Sequence, residues 1–218
     1  MAALTVGPRR RQTANFLSHA ENDTRPLFSR IGGWLFRRRT VIPVPLVLAL
    51  LILPPAASHS ATTHVPVGAA IVAAAEALRL WAVRQIGVVS RTRSDRLGPL
   101  VSTGPFAFVR NPLYLGNIAL WVGFAISARL VYLVPVLVVL LGLEYHAIVR
   151  WEEELLMARR GDEYRVYAAR VPRWLPNFRR STPVSNPQAG FSWGETFFSE
   201  RGTLIAIAAG YLLLWIKI

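Results

Sequence analysis

GPLVSTGPFAFVRNPLYLGN (Gly98–Asn117), LVYLVPVLVVLLGLEYHAIV (Leu130–Val149) and WEEELLMARRGDEYRVYAARVPRWLP (Trp151–Pro176) follow one another along the chain, and together they decide the fold. The first stretch opens an apolar run, Leu113–Ser127, and only Ala128 and Arg129 separate that run from the next, Leu130–Val149. So short a connection predicts two antiparallel helices in a tight hairpin. The start of the first helix and the exit of the second then lie at the same end. One carries Arg110-Asn111-Pro112 and the other Glu152-Glu153-Glu154. Polar groups on neighbouring helix ends, beside apolar surface, predict a pocket for a polar cofactor next to a lipid-phase substrate.

The rest of the chain fits a membrane setting. Of 218 residues, 53% are hydrophobic and the mean hydropathy is positive. That is too apolar for an ordinary soluble domain of this size. Five apolar runs stand out: Val41–Ala57, Val65–Val89, Leu113–Ser127, Leu130–Val149 and Thr203–Ile216. A full crossing takes roughly 20 apolar residues, so the first, third and fifth imply tilt or incomplete crossing. The expected fold is all-α, a polytopic membrane helix bundle of about five transmembrane segments with a cofactor pocket at its cytoplasmic edge. Residues 1–40 read as a disordered basic cytoplasmic tail, 41–177 as the membrane core, and 178–218 as an interfacial segment plus a C-terminal membrane helix. Phe191, Trp193, Phe197 and Phe198 supply the interfacial aromatics.

The formal charge is +13. The arginines flank the apolar runs, which points to orientation and anionic lipid rather than nucleic acid. The N-terminal stretch, the Arg84–Arg110 connection and the Arg150–Arg201 region are arginine-rich, whereas the Ser58–His64 loop has no lysine or arginine. The positive-inside rule then puts the N-terminus and the pocket in the cytoplasm and the C-terminus outside. Cysteine is absent, and the four histidines are scattered without metal-ligand spacing, so no metal is expected.

Chemistry concentrates at the hairpin ends. Asn111 followed by Pro112 is a strong helix start, and its unpaired N–H groups and positive dipole suit a carboxylate. Gly104-Pro105 upstream forces a turn. Among the acidic triplet, helical spacing pairs two glutamates with Arg150, Arg159 or Arg160, leaving one for a cation such as the ammonium of an amino-acid cofactor. Tyr164 and Tyr167 read either as an interfacial belt or as a cover over a bound ring. Glu76 and Arg79, at i and i+3 within a span, read as a structural ion pair. His146 shares a helix face with Arg150, and a lone histidine there is more often a packing residue than a base.

Taken in order, these residues resemble the integral-membrane methyltransferases that include isoprenylcysteine carboxyl methyltransferase and the phospholipid N-methyltransferases. Their pattern GPY…RHPxYxG, apolar hairpin, EE, FGxxYxxYxxxVPxxIP stands here as GPFAFVRNPLYLG, Glu152-Glu153 and RGDEYRVYAARVPRWLP. EALRLWAVRQIG before it is similar to the family's arginine-tryptophan helix, so the resemblance runs from Glu76 to Pro176. It implies S-adenosylmethionine as methyl donor. It also implies cofactor contacts at Leu100, Val101, Phe106, Asn111, Pro112, Leu113, Tyr114 and Glu152. Glu152 would hold the donor's amino group, and the backbone around Asn111–Leu113 would meet its carboxylate. Two positions depart from the pattern. The family's histidine is Asn111, and the arginine that clamps a prenylcysteine carboxylate is Ile148, with Arg150 nearby as a weaker substrate-binding candidate. The expected activity is methyl transfer to a lipophilic, membrane-borne acceptor, a lipid or a lipidated small molecule. A carboxylate acceptor needs no base, whereas an amine would call on one such as His146. The alternative is a non-catalytic membrane scaffold or transport accessory with the same fold.

Overall fold

The structure, a computed structural model, describes residues 27–39, 41–56, 61–87, 100–178 and 190–217. The described residues form seven α-helices: α1 (Leu27–Arg38), α2 (Pro43–Ile52), α3 (Ala61–Ile86), α4 (Pro112–Ser127), α5 (Val134–Arg160), α6 (Asp162–Arg170) and α7 (Trp193–Lys217). Short 3-10 turns at Gly104–Ala107 and Val131–Leu133 precede α4 and α5. This is the all-helical membrane architecture expected from the apolar runs.

By length and composition, α3, α5 and α7 are each sufficient to cross a bilayer, and α2 and α4 are shorter. The run Val41–Ala57, expected as one span, holds a helix of only 10 residues. That is about 15 Å against a hydrocarbon core of about 30 Å. Pro43 starts it at the first helical position. Leu53 turns to an extended conformation, φ −67° and ψ 136°, as a residue before proline must. At its far end the Lys217 ammonium donates to the Leu50 and Leu53 carbonyls at 2.5 and 2.7 Å.

Three further boundaries differ from the sequence reading. The tail assigned to residues 1–40 contains α1; its residues 1–26 and 40 lie outside the described residues. This helix forms because its glycine pair lets it lie directly on α5. A Cβ at Gly32 would sit 2.0 Å from the Ala147 carbonyl oxygen, and one at Gly33 would sit 3.0 Å from Trp151 Nε1. Second, α5 does not end at Val149. It runs 27 residues to Arg160, where Gly161 breaks it with φ 50°. The acidic triplet therefore lies two turns inside the helix, and Arg159 and Arg160 occupy the end where the dipole favours cations. Third, Trp193, Phe197 and Phe198 are not a separate interfacial element but the first turns of continuous α7. A capping box starts that helix: Ser192 N–H donates to Glu195 Oε2 at 2.8 Å, and Glu195 N–H donates back to Ser192 Oγ at 3.3 Å.

Small residues bring α3 and α4 together. Gly116, Leu120, Gly123 and Ser127 line one buried stripe of α4, at helical spacing. Opposite them are Gly68, Val72, Ala75 and Arg79 of α3. Without a hydrophobic driving force inside lipid, such close approach supplies the packing. A Cβ on Gly68 would fall 2.4 Å from the Gly123 carbonyl oxygen and 2.2 Å from Ser127 Oγ. Gly68→Ala should therefore part the helices and cost about 1–3 kcal/mol. Gly142→Ala, whose Cβ meets nothing within 4 Å, should not lower thermal stability in detergent and should raise it by the roughly 1 kcal/mol that alanine gains over glycine in a helix.

Arg79 pins α7 to this pair. Its guanidinium bonds Glu76 at 3.2 Å, Thr203 Oγ1 at 3.0 Å, the Glu200 carboxylate and the Asn117 side-chain oxygen. The Glu76–Arg79 pair is thus structural, and Glu200 is its third member.

Candidate active site at the hairpin end

The sequence stretch before α4 and the stretch after α6 are strapped together. Arg110 N–H donates to the Pro172 carbonyl at 2.9 Å, and Asn177 N–H donates to the Phe108 carbonyl at 2.9 Å. The two ends of the motif, GPFAFVRNP and VPRWLP, are therefore one structural unit. Gly104, at φ 59°, supplies the left-handed turn that starts it, and a Cβ there would also strike Gln85.

Glu153 holds this unit against α5. One carboxylate oxygen accepts from Arg110 Nη1 at 2.8 Å and Arg173 Nε at 2.9 Å; the other accepts from Arg173 Nη2 at 2.6 Å. The bidentate geometry and low exposure make it a strong contact. The carboxylate keeps the Arg173 guanidinium charged beyond its ordinary range. Tyr164 and Tyr167 are buried beneath, packed on Leu100 and Val171. Tyr167 Oη donates to the Phe106 carbonyl at 2.9 Å, which fixes the Gly104–Ala107 turn. Burial pushes both hydroxyls up, and neighbouring Glu153 adds to the effect at Tyr164, so both stay protonated donors near neutrality. They are buried rather than set in an interfacial belt, and they form the floor of the turn.

With the unit fixed, α4 and α5 meet at Tyr114 and Glu152. Tyr114 Oη donates to Glu152 Oε1 at 3.0 Å. The Tyr114 ring stacks on Tyr145 with centroids 4.8 Å apart. Tyr145 precedes Glu152 by seven residues, two helical turns on the same face, and that period was the signal by which it could have been found. One turn further along α4, the Asn117 side-chain oxygen accepts from Arg79.

The helix start at Pro112 stands as read, but Asn111 does not cap it. Its φ of −124° and ψ of 54° carry no side-chain cap bond, and its amide instead donates to the Arg173 carbonyl at 3.0 Å. The first N–H groups of α4 are thereby left for another acceptor. Leu100 and Pro112 are buried; Val101, Phe106, Leu113 and Tyr114 are partly buried around the same turn. Arg150 is not brought here. It is exposed and lies about 200° around α5 from Glu152. His146 Nδ1 accepts from Trp174 Nε1 at 3.4 Å, which occupies the lone pair that a neutral ring of that tautomer would use to take a proton. Ile148 is fully buried in the core.

A family model for phospholipid methyltransferase matches residues 63–160. The chain is also 30% identical, over 154 residues, to the nickel-cobalt-cadmium resistance protein NccN of Alcaligenes xylosoxydans xylosoxydans. That match spans 67% of this chain and 64% of the relative. No solved structure matches the chain. The matched segment contains α3, the α4–α5 hairpin and the Tyr114–Glu152 contact; over residues 63–160 the chain is similar to the phospholipid methyltransferase family.

Proposed function

We propose that the chain transfers a methyl group from S-adenosylmethionine to a lipophilic acceptor that enters from the bilayer. The observation that carries this reading is the contact between Tyr114 and Glu152, which joins the α4 start to α5 inside the family segment. Among the described residues the Glu152 carboxylate accepts from Tyr114, and its second oxygen retains capacity for an ammonium. The uncapped start of α4 offers N–H groups to a carboxylate. Those two features, on adjacent helices, match the charged ends of an amino-acid-bearing donor. When bound, the donor supplies an already activated methyl group. The protein then has to align acceptor and donor and keep water out. Leu100, Val101, Phe106, Pro112 and Leu113 would provide the apolar wall. With its Nδ1 lone pair on Trp174, His146 is poorly placed as a base, which favours an acceptor that is already a nucleophile at neutral pH. The arginine-rich flanks support a cytoplasmic N-terminus and site, with the C-terminus outside.

A second reading follows from the NccN match and from Asn111 standing where the family has histidine. In it the chain is a non-catalytic membrane accessory. Purified protein incubated with methyl-labelled donor and membrane-extracted lipid separates the two. The enzyme reading expects label in the organic phase, lost with Glu152→Ala. No label above a protein-free control contradicts it.

A further inference from the structure

Two of the cations around the Tyr114–Glu152 pair are committed. Arg110 and Arg173 both bond Glu153. Arg39, at the turn between α1 and α2, is different. Its guanidinium lies 4.2 Å over the Phe36 ring, and Phe36 packs on Trp151 of α5 with centroids 5.0 Å apart. The glycine pair of α1 sets that docking. Trp151, on which that stack rests, directly precedes Glu152 along α5. Among the described residues no carboxylate lies within 4 Å of Arg39, and its side chain is exposed. An arginine stacked on an aromatic ring keeps its planar fork free for an anion. The outer face of α1 carries exposed Ile31 and Trp34, with Arg38 stacked on Trp34 at 5.1 Å. Apolar and basic groups on one exposed face suit a surface covered by anionic lipid.

We propose that Arg39 is the headgroup anchor of this site, binding the phosphate of a membrane lipid beside Glu152. The assignment rests on the methyl-transfer reading only for its link to catalysis, because the donor's carboxylate is already placed at the α4 start. Arg39 lies outside the matched family segment.

The test uses the full chain in detergent and reads thermal stabilisation, without donor, on titration with dioleoyl phosphatidylglycerol and, separately, dioleoylglycerol, which lacks the phosphate. Wild type should bind the phospholipid about tenfold more tightly, the gain of one charge-assisted contact. Arg39→Gln should bring the ratio close to one, Arg39→Lys should restore part of it, and Arg37→Gln should leave it unchanged. Donor affinity, measured by calorimetry, should be the same in Arg39→Gln as in wild type. No preference in wild type, or an equal drop with Arg37→Gln, overturns the assignment. So does a loss of donor affinity with the lipid ratio intact, which would give Arg39 to the donor's carboxylate. Because the lipid ratio is read without donor, failure of wild type to bind donor defeats the methyl-transfer reading and leaves the ratio to decide Arg39.

Discussion

Glu152→Ala is expected to weaken S-adenosylmethionine binding by about 10–100-fold, the equivalent of one hydrogen bond to a charged group. The carboxylate reaches the site from α5, and its hydrogen-bond partner, Tyr114, is itself at the α4 start. Removing it deletes the negative charge opposite the uncapped helix. Calorimetry on the full chain in lipid nanodiscs reads the change. Glu152→Gln separates charge from shape, because it still accepts the Tyr114 hydroxyl. It should unfold at the wild-type temperature yet bind the donor nearly as poorly as the alanine variant. Tyr114→Phe should cost less, since the stack on Tyr145 survives the loss of the hydroxyl.

Arg79→Leu is expected to be the most damaging single substitution for stability. Arg79 is the shared cation of Glu76 and Glu200, and all three are buried. Deleting one member of such a cluster leaves charge uncompensated in low dielectric, at about 3–5 kcal/mol. The same change also strips partners from Asn117 and Thr203. Thermal unfolding of purified protein should show a large fall. The double variant Arg79→Leu with Glu200→Gln should recover part of it, because one orphaned charge is gone. An Arg79→Leu protein as stable as wild type would mean the cluster does not hold α7 to α3.

The hairpin was legible because only Ala128 and Arg129 separate the two apolar runs, although the helices themselves are joined by six residues that include a 3-10 turn. The approach of Tyr114 to Glu152 followed, since the start of α4 and the stretch of α5 just past its apolar run lie at one end. What escaped was set at long range. The side chain of Asn111 is drawn away from its cap by the Arg173 carbonyl, 62 positions on. Glu76 and Arg79 showed themselves by local spacing, but Glu200 lies 121 positions from Arg79. Helix α1 was hidden for another reason. Its stability comes from a glycine pair fitted to Ala147 and Trp151, and glycine argues against a helix by local propensity. The basic triplet Arg37-Arg38-Arg39 was visible as a membrane anchor, yet nothing in the spacing tied Arg39 to Glu152. In α2 the competing signals were both in view, an apolar run and the pair Pro54-Pro55, and the prolines won.

A structure of the full chain with S-adenosylmethionine bound addresses the central claim most directly. The donor's ammonium should lie within hydrogen-bonding distance of Glu152 and its carboxylate against the first N–H groups of α4. Donor found elsewhere, for example in the apolar cleft that Val72, Glu76, Leu204 and Tyr211 line between α3 and α7, would contradict the account.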